Sequence, residues 1–290
     1  MSTREHFQAM SDPSAHIVPR DLRFEIESHA DAGWMGGDVL HSILIDSFAV
    51  MLPVGERFFI RSLRHYEQRI PDAFVRLGIQ GYATQEAFHT REHESYNRGM
   101  RALGYDPDGI TERVRRTLPK SDAPFKSLLA TCAIEHITYS LSCVILGKPQ
   151  LMAAAKPAYR ELWTWHALEE IEHANVALAV LGEAGKHLSP WKLYAARCTT
   201  LNFIIYCFLR EFVRNANAMK RAAGIKPGVK SWSRMLWMMV GKPGWARHYL
   251  PHLLAYYRPG YGRGQSNDTG MIATGRARLA ELLAKRPQAA

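Results

Sequence analysis

From Asp38 onward apolar residues recur at intervals of three and four, the spacing that lines one face of an α-helix, and no run alternates with the period of two that a half-buried strand needs. The pattern predicts an all-α chain. Residues 1–37 precede it as an irregular arm broken by Pro13, Pro19 and Gly36-Gly37. A first helical stretch runs from Asp38 to about Gln68, with Pro53 as its kink or break just before Glu56, and a second from Asp72 to Leu103, ended by Gly104. Tyr105 to Asp122 is a polar connection holding a short basic helix, Thr111 to Thr117. A third long helix, Ala123 to Leu146, stops at Gly147-Lys148-Pro149, and a fourth, Gln150 to Leu181, carries an acidic, His-rich segment. After Pro190 come a long helix to about Ala223, shorter Trp- and Tyr-rich helices, a Gly-rich loop from Arg258 to Gly270, and a last helix near Ala273 to Ala284. These elements divide a single domain into an arm (1–37), a four-helix bundle (38–189) and a helical region packed on the bundle (190–290).

Charge changes this picture, because it is unevenly placed. Residues 1–189 hold 20 Lys+Arg and 24 Asp+Glu, a net of −4, whereas residues 190–290 hold 17 and 3, a net of +14. Such a basic third could track nucleic acid, lie on an anionic bilayer or surround the entrance of a site for anions. The segment lacks a helix-turn-helix, zinc or RNA-binding motif, so no nucleic-acid partner is expected. The aromatic and Met residues of Trp232 to Trp245, set among cations, lean toward peripheral contact with a membrane surface or toward an oily anion, against the plainer alternative of a packed helix with a solvated basic face.

With 290 residues, 47% hydrophobic and 10% aromatic, the chain can bury a large core and is not disordered. Cys132, Cys143, Cys198 and Cys207, at spacings of 11, 55 and 9, fit neither a CxxC motif nor a disulfide framework, and read as buried thiols of a cytoplasmic protein. The N-terminus lacks the apolar core of a secretion signal, and the most apolar stretches, Ser42 to Gly55 and Leu201 to Leu209, fall short of the roughly 20 residues a spanning helix requires. Membrane contact, if made, would be at the inner face. The oligomeric state stays open, a homodimer included.

Candidate chemistry lies in four of the helical stretches. Glu86 and His89 form one ExxH pair, and Glu170 and His173 another; residues at i and i+3 sit about 60° apart on a helix, so each pair projects from one face. Glu56 and Glu135 stand singly in apolar or aromatic settings (PVGERFF and ATCAIEHITY), where an unpaired buried charge would be strongly unfavourable. One Glu from each of two helices and a Glu-x-x-His from each of two others is the ligand arithmetic of a carboxylate bundle holding two metal ions. Glu56 and Glu86 are 30 residues apart and Glu135 and Glu170 are 35, room in each case for two turns out, a loop and a return to the same level. His166, four before Glu170, shares the face of Glu170 and His173 and would make a seventh ligand; His93, four after His89, is its mirror image, and geometry alone leaves both open as ligand or support. Glu169 borders the same face. Glu92, Glu94 and Glu172 point progressively away and read as solvated or supporting groups, while Tyr139, one turn after Glu135, could donate to a ligand.

LPVGERFFIRSLRHY, GYATQEAFHTREHESYNRGM, AIEHITYSL and WTWHALEEIEHANVAL together resemble the bacterial family of predicted metal-dependent hydrolases, a ferritin-like family, over roughly residues 20 to 260. The ligand order Glu, ExxH, Glu, HxxxExxH is also similar to that of the p-aminobenzoate N-oxygenase family of di-iron enzymes. These resemblances imply a ferritin-like four-helix bundle with a dinuclear metal site and extra C-terminal helices. They carry metal binding to Glu56, Glu86, His89, Glu135, His166, Glu170 and His173, with His93 also matching the first family. The Gly-rich stretch Gly260 to Gly264 departs from that family, where a more aromatic, His-Pro-containing loop is expected.

Four carboxylates balance two divalent ions, and mixed carboxylate and imidazole donors suit iron or manganese, with zinc overlapping. By analogy with such bundles, the expected activity is that of an O2-dependent oxidase or oxygenase using an electron donor and a small or amphiphilic, anionic organic substrate. A dinuclear hydrolase is the alternative, and a ferroxidase-like iron-handling protein a second.

Overall fold

The computed structural model describes residues 17–119, 122–261 and 268–286, so most of the Gly-rich loop lies outside the described residues. Among these the secondary structure is helical, with no strand beyond one isolated bridge between Met35 and Ala155. The helices are α1 (Val39–Ala49), α2 (Leu52–Glu67), α3 (Ala73–Ala102), α4 (Pro107–Arg115), α5 (Pro124–Gly147), α6 (Pro157–His173), α7 (Val176–Ala184), α8 (Pro190–Ala222), α9 (Val229–Val240), α10 (Trp245–Ala255) and α11 (Asp268–Ala284).

Proline and short polar caps decide where they begin. Pro53, Pro107, Pro124, Pro157 and Pro190 each sit in a first turn, where the missing N–H has no helical acceptor to lose. Asp38, Asp72, Asp106 and Ser189 accept backbone N–H groups of the helices they precede.

The break expected at Pro53 falls at Val50-Met51, where the stretch from Asp38 to Gln68 divides into two helices with Pro53 in the first turn of the second. Three boundaries differ from the sequence reading. The short basic helix starts at Pro107, set by its Asp106 cap, not at Thr111. The fourth helix does not run from Gln150 to Leu181. Lys156, held extended before Pro157, donates its N–H to the Trp34 carbonyl of the arm, so α6 begins only at Pro157; a turn at Ala174-Asn175 then separates it from α7. The last helix begins five residues before Ala273. Only Cys132 and Cys143 are buried; Cys198 and Cys207 on α8 are half-buried.

Helices α2, α3, α6 and α5 close a ring in which α2 packs on α3, α3 on α6, α6 on α5 and α5 on α2. Around it α7, α8, α10 and α11 all touch α5. This wrapping explains why α5 has apolar residues on every side: it is long and apolar enough to cross a membrane, yet 83% of its most apolar window is buried inside the protein. The arm is tied along the outside of α3 and α6. Phe24 N–H donates to Glu92 (3.0 Å), Glu27 N–H to Ser95 (3.3 Å) and Arg20 N–H to Glu169 (3.0 Å), while Trp34 stacks on Tyr159 at 4.4 Å.

Candidate metal centre

The ring's interior holds the polar residues that the sequence pattern singled out. Tyr82, Glu86, His89 and His93 descend one face of α3, each about one helical turn from the next, and all are fully buried. Glu56 of α2, Glu135 of α5, and His166, Glu170 and His173 of α6 meet them. Four overlapping groups each bring three donor atoms within 4.8 Å of one another: Glu56, His93 and His166; His89, His166 and Glu170; Glu56, Glu86 and His89; Glu86, Glu135 and His173. The shared members join these into one elongated cluster, a size that suits two ions. His93 lies as deep in it as His166, with Nδ1 2.6 Å from Glu56 Oε1.

The fit to metal shows in what these side chains lack. Both oxygens of Glu86, Oε2 of Glu56 and of Glu135, both ring nitrogens of His89 and His173, Nε2 of His93 and Nδ1 of His166 are buried without a hydrogen-bond partner among the described residues. Buried polar atoms are nearly always paired, so this many orphans converging on one space calls for cations.

Electrostatics agree. Loss of water, reinforced by the neighbouring carboxylates, raises the pKa of Glu86 far above the usual range and that of Glu135 to about 8, and burial likewise raises Glu56. Burial keeps His89 and His166 neutral, His166 at about 3. Glu170 overcomes its desolvation through His173, His166 and Thr138 and falls to about 2, while His173, desolvated but flanked by Glu170 and Glu135, rises to about 8. Without metal the Glu170–His173 pair therefore sits amid carboxylates that resist ionising, Glu86 and Glu135, and imidazoles that resist protonation, His89 and His166.

Supporting groups orient the donors. Tyr82 donates its hydroxyl to Glu135 Oε1 (2.6 Å) and Thr138 to Glu170 Oε2 (2.5 Å). Glu169 stands behind His89, its Oε2 3.2 Å from Nε2 but short of hydrogen-bond geometry, while Arg20 Nη1 binds its Oε1 at 3.1 Å. Sequence reasoning missed Tyr82, Thr138 and Arg20. Tyr82 was legible, since it lies four residues before Glu86 on the same face; Thr138 was passed over for its neighbour Tyr139, which is half-buried with its ring 6.2 Å from that of His136. Of the groups read as solvated or supporting, Glu92 is buried and the Glu172 side chain is covered, and both support the packing: Glu92 accepts from the arm, and Glu172 lies between Arg20 of the arm (2.7 Å) and Arg276 of α11 (2.8 Å). Glu94 is exposed and pairs with Arg57.

Trp163, one turn before His166, packs its ring 5.8 Å from His93 and 5.7 Å from His166. It also lines a cavity of about 160 Å³ walled by α1, α5, α8, α9 and α10, through Phe48, Ile137, Leu141, Phe212, Met239 and Tyr249 among others. The walls are almost wholly apolar.

A buried cluster of carboxylates and imidazoles at the centre of a helical bundle defines a metal-dependent protein. Residues 18–265 match the family described as predicted metal-dependent hydrolase, and the chain belongs to that family. No curated protein and no solved structure matches the chain.

Proposed function

We propose that the chain is a dinuclear metalloenzyme, a di-iron oxidase or oxygenase acting on an apolar or amphiphilic organic substrate. The carrying observation is a donor set of four carboxylates with His89, His93, His166 and His173, set beside a cavity lined almost wholly by apolar and aromatic side chains, with no charged group. Two ions held by these residues would supply electrons to dioxygen, or Lewis acidity if the reaction were hydrolysis. The protein's own residues do the rest: Thr138 and Tyr82 fix Glu170 and Glu135, Arg20 fixes Glu169 behind His89, and Trp163 closes the cluster off from the cavity. A cavity of about 160 Å³ accepts a ring or a short chain, since an engineered apolar cavity of ~150 Å³ binds benzene. An iron-handling protein has no use for it, which supports an enzyme over a ferroxidase.

Hydrolysis is the second reading, favoured by the family's description. Anaerobic loading with ferrous iron, followed by oxygen uptake and optical spectra with and without apolar acids, separates the two. Uptake coupled to product formation supports oxidation. Ester or amide cleavage that proceeds equally with zinc and without oxygen would replace it with hydrolysis.

A further inference from the structure

Helices that wall the cavity also carry an exposed apolar surface that the metal chemistry does not require. Leu209 and Val213 on α8, Trp237 and Val240 on α9, and Leu250 and Leu254 on α10 are all exposed, Trp237 to 62%. Each pair is three or four residues apart and so shares one face of its helix. Four of the six directly follow cavity-lining residues, Phe208, Phe212, Met239 and Tyr249, so the helices that wall the cavity also carry this surface. Eleven of the fourteen large exposed apolar residues fall between Trp191 and Leu254, a concentration that a monomer in water seldom leaves uncovered.

The same region is strongly cationic. From Pro190 to Tyr261 there are twelve Lys and Arg against one acid, Glu211, which is buried under Arg113, Arg210 and Arg214. Lys226, Lys230, Lys242 and Arg247 are exposed and have no acidic partner among the described residues. We propose that the face formed by α8, α9 and α10 docks on an anionic lipid bilayer. Apolar and tryptophan side chains would enter the acyl boundary while the lysines and arginines meet the headgroup charge. A second copy of the chain is a poor occupant, because two-fold pairing would set this positive surface against itself. Docked in this way, helices that wall the cavity lie against the bilayer. The docking does not depend on the reaction proposed above.

The test is flotation of the full-length, metal-loaded protein with phosphatidylcholine vesicles, with and without 30% phosphatidylglycerol. Binding to the anionic vesicles is expected, falling about tenfold or more when salt is raised from 0.05 to 0.5 M, with each surface cation contributing roughly fivefold. Trp237→Glu with Leu254→Glu should abolish it, and Lys230→Glu with Lys242→Glu should weaken it about tenfold or more. Trp237→Phe keeps the fold; it should retain binding but lose much of the quenching of tryptophan fluorescence by brominated lipid. Several results would overturn the proposal: equal flotation with neutral lipid, no flotation with either, flotation unaffected by the Glu pair at Trp237 and Leu254, or a Trp237-dependent dimer without vesicle binding.

Discussion

Asp46 on α1 is the buried carboxylate whose cost can be worked out apart from the metal cluster. It accepts the Trp34 indole N–H of the arm (2.9 Å) and the Tyr96 hydroxyl of α3 (2.5 Å), so it fixes α1, which walls the cavity, against the helix that carries Glu86, His89 and His93. Burial outweighs these two donors and raises its pKa from 3.8 to about 7. In the unfolded chain the proton leaves near pH 4, whereas in the folded protein it stays until about pH 7. The stability Asp46 contributes is therefore fully present below about pH 4 and is lost as pH rises through 7. At ~1.4 kcal/mol per unit, the loss is about 4 kcal/mol. Asp46→Asn keeps an acceptor for both donors and cannot ionise. Relative to the parent it should be nearly neutral at pH 4 and more stable by up to about 4 kcal/mol at pH 8. Asp46→Ala strands two buried donors and should be destabilising at pH 4 by about 1–3 kcal/mol for each. Urea unfolding of the three proteins from pH 4 to 8 measures these differences, and subtraction removes the titrations they share. An Asn variant whose stability relative to the parent does not change with pH would show that Asp46 is not protonated in the folded protein, and the reasoning from burial would fail.

Further predictions concern the cluster and its surroundings. Reconstituted protein should hold about two ions per chain, because the converging donors exceed the four to six positions of one ion; elemental analysis giving one or fewer contradicts this. Glu56→Ala and Glu135→Ala should lose metal while far-UV circular dichroism stays helical, and full metal retention by both would remove them from the site. His93→Ala and His166→Ala should each lose about one ion, since both lie in the group with Glu56; if only one variant loses metal, the other histidine is a supporting group. Arg20→Ala frees Glu169 behind His89 and should weaken metal binding roughly 10–100-fold, measured by chelator competition; unchanged affinity would make the contact purely structural.

Much of the candidate site was legible because helical periodicity is local. The three-and-four spacing that makes Glu86 and His89 neighbours on α3 needs no tertiary information, and the prolines at 53 and 124 mark helix starts by removing a donor. What remained hidden depends on contacts between segments. The break after His173 has no proline or glycine to announce it. Glu92 and Glu172 look like surface charges on a wheel, and it is the arm's path over α3 and α6, with Arg276 of α11, that covers them. His93 and His166 are equivalent by spacing, and it takes Glu56 of α2 to place both in one group. The cavity combines residues from six helices, and the exposed Trp and Leu of α8, α9 and α10 read in sequence like ordinary helix packing.

The energetics of the cluster argue against a purely structural role. Without metal its favourable charge pairings, Glu170 with His173 and Glu56 with His93, stand beside Glu86 and Glu135, which burial holds against ionisation. Each orphaned buried group costs about 1–3 kcal/mol, and well-packed apolar side chains in the same volume would commonly be at least as stable. A fold that carries this cost also spends Tyr82, Thr138 and Arg20 on orienting the carboxylates, although these contacts relieve few of the orphaned atoms. Orientation without neutralisation is useful only if positive charge arrives from outside. The surrounding packing sets where that charge can act: Trp165 packs on His89, Trp163 packs on His93 and His166, and Trp163 also lines the apolar cavity. The cluster is therefore screened from bulk water, and the Trp163 ring stands between its imidazoles and the apolar cavity.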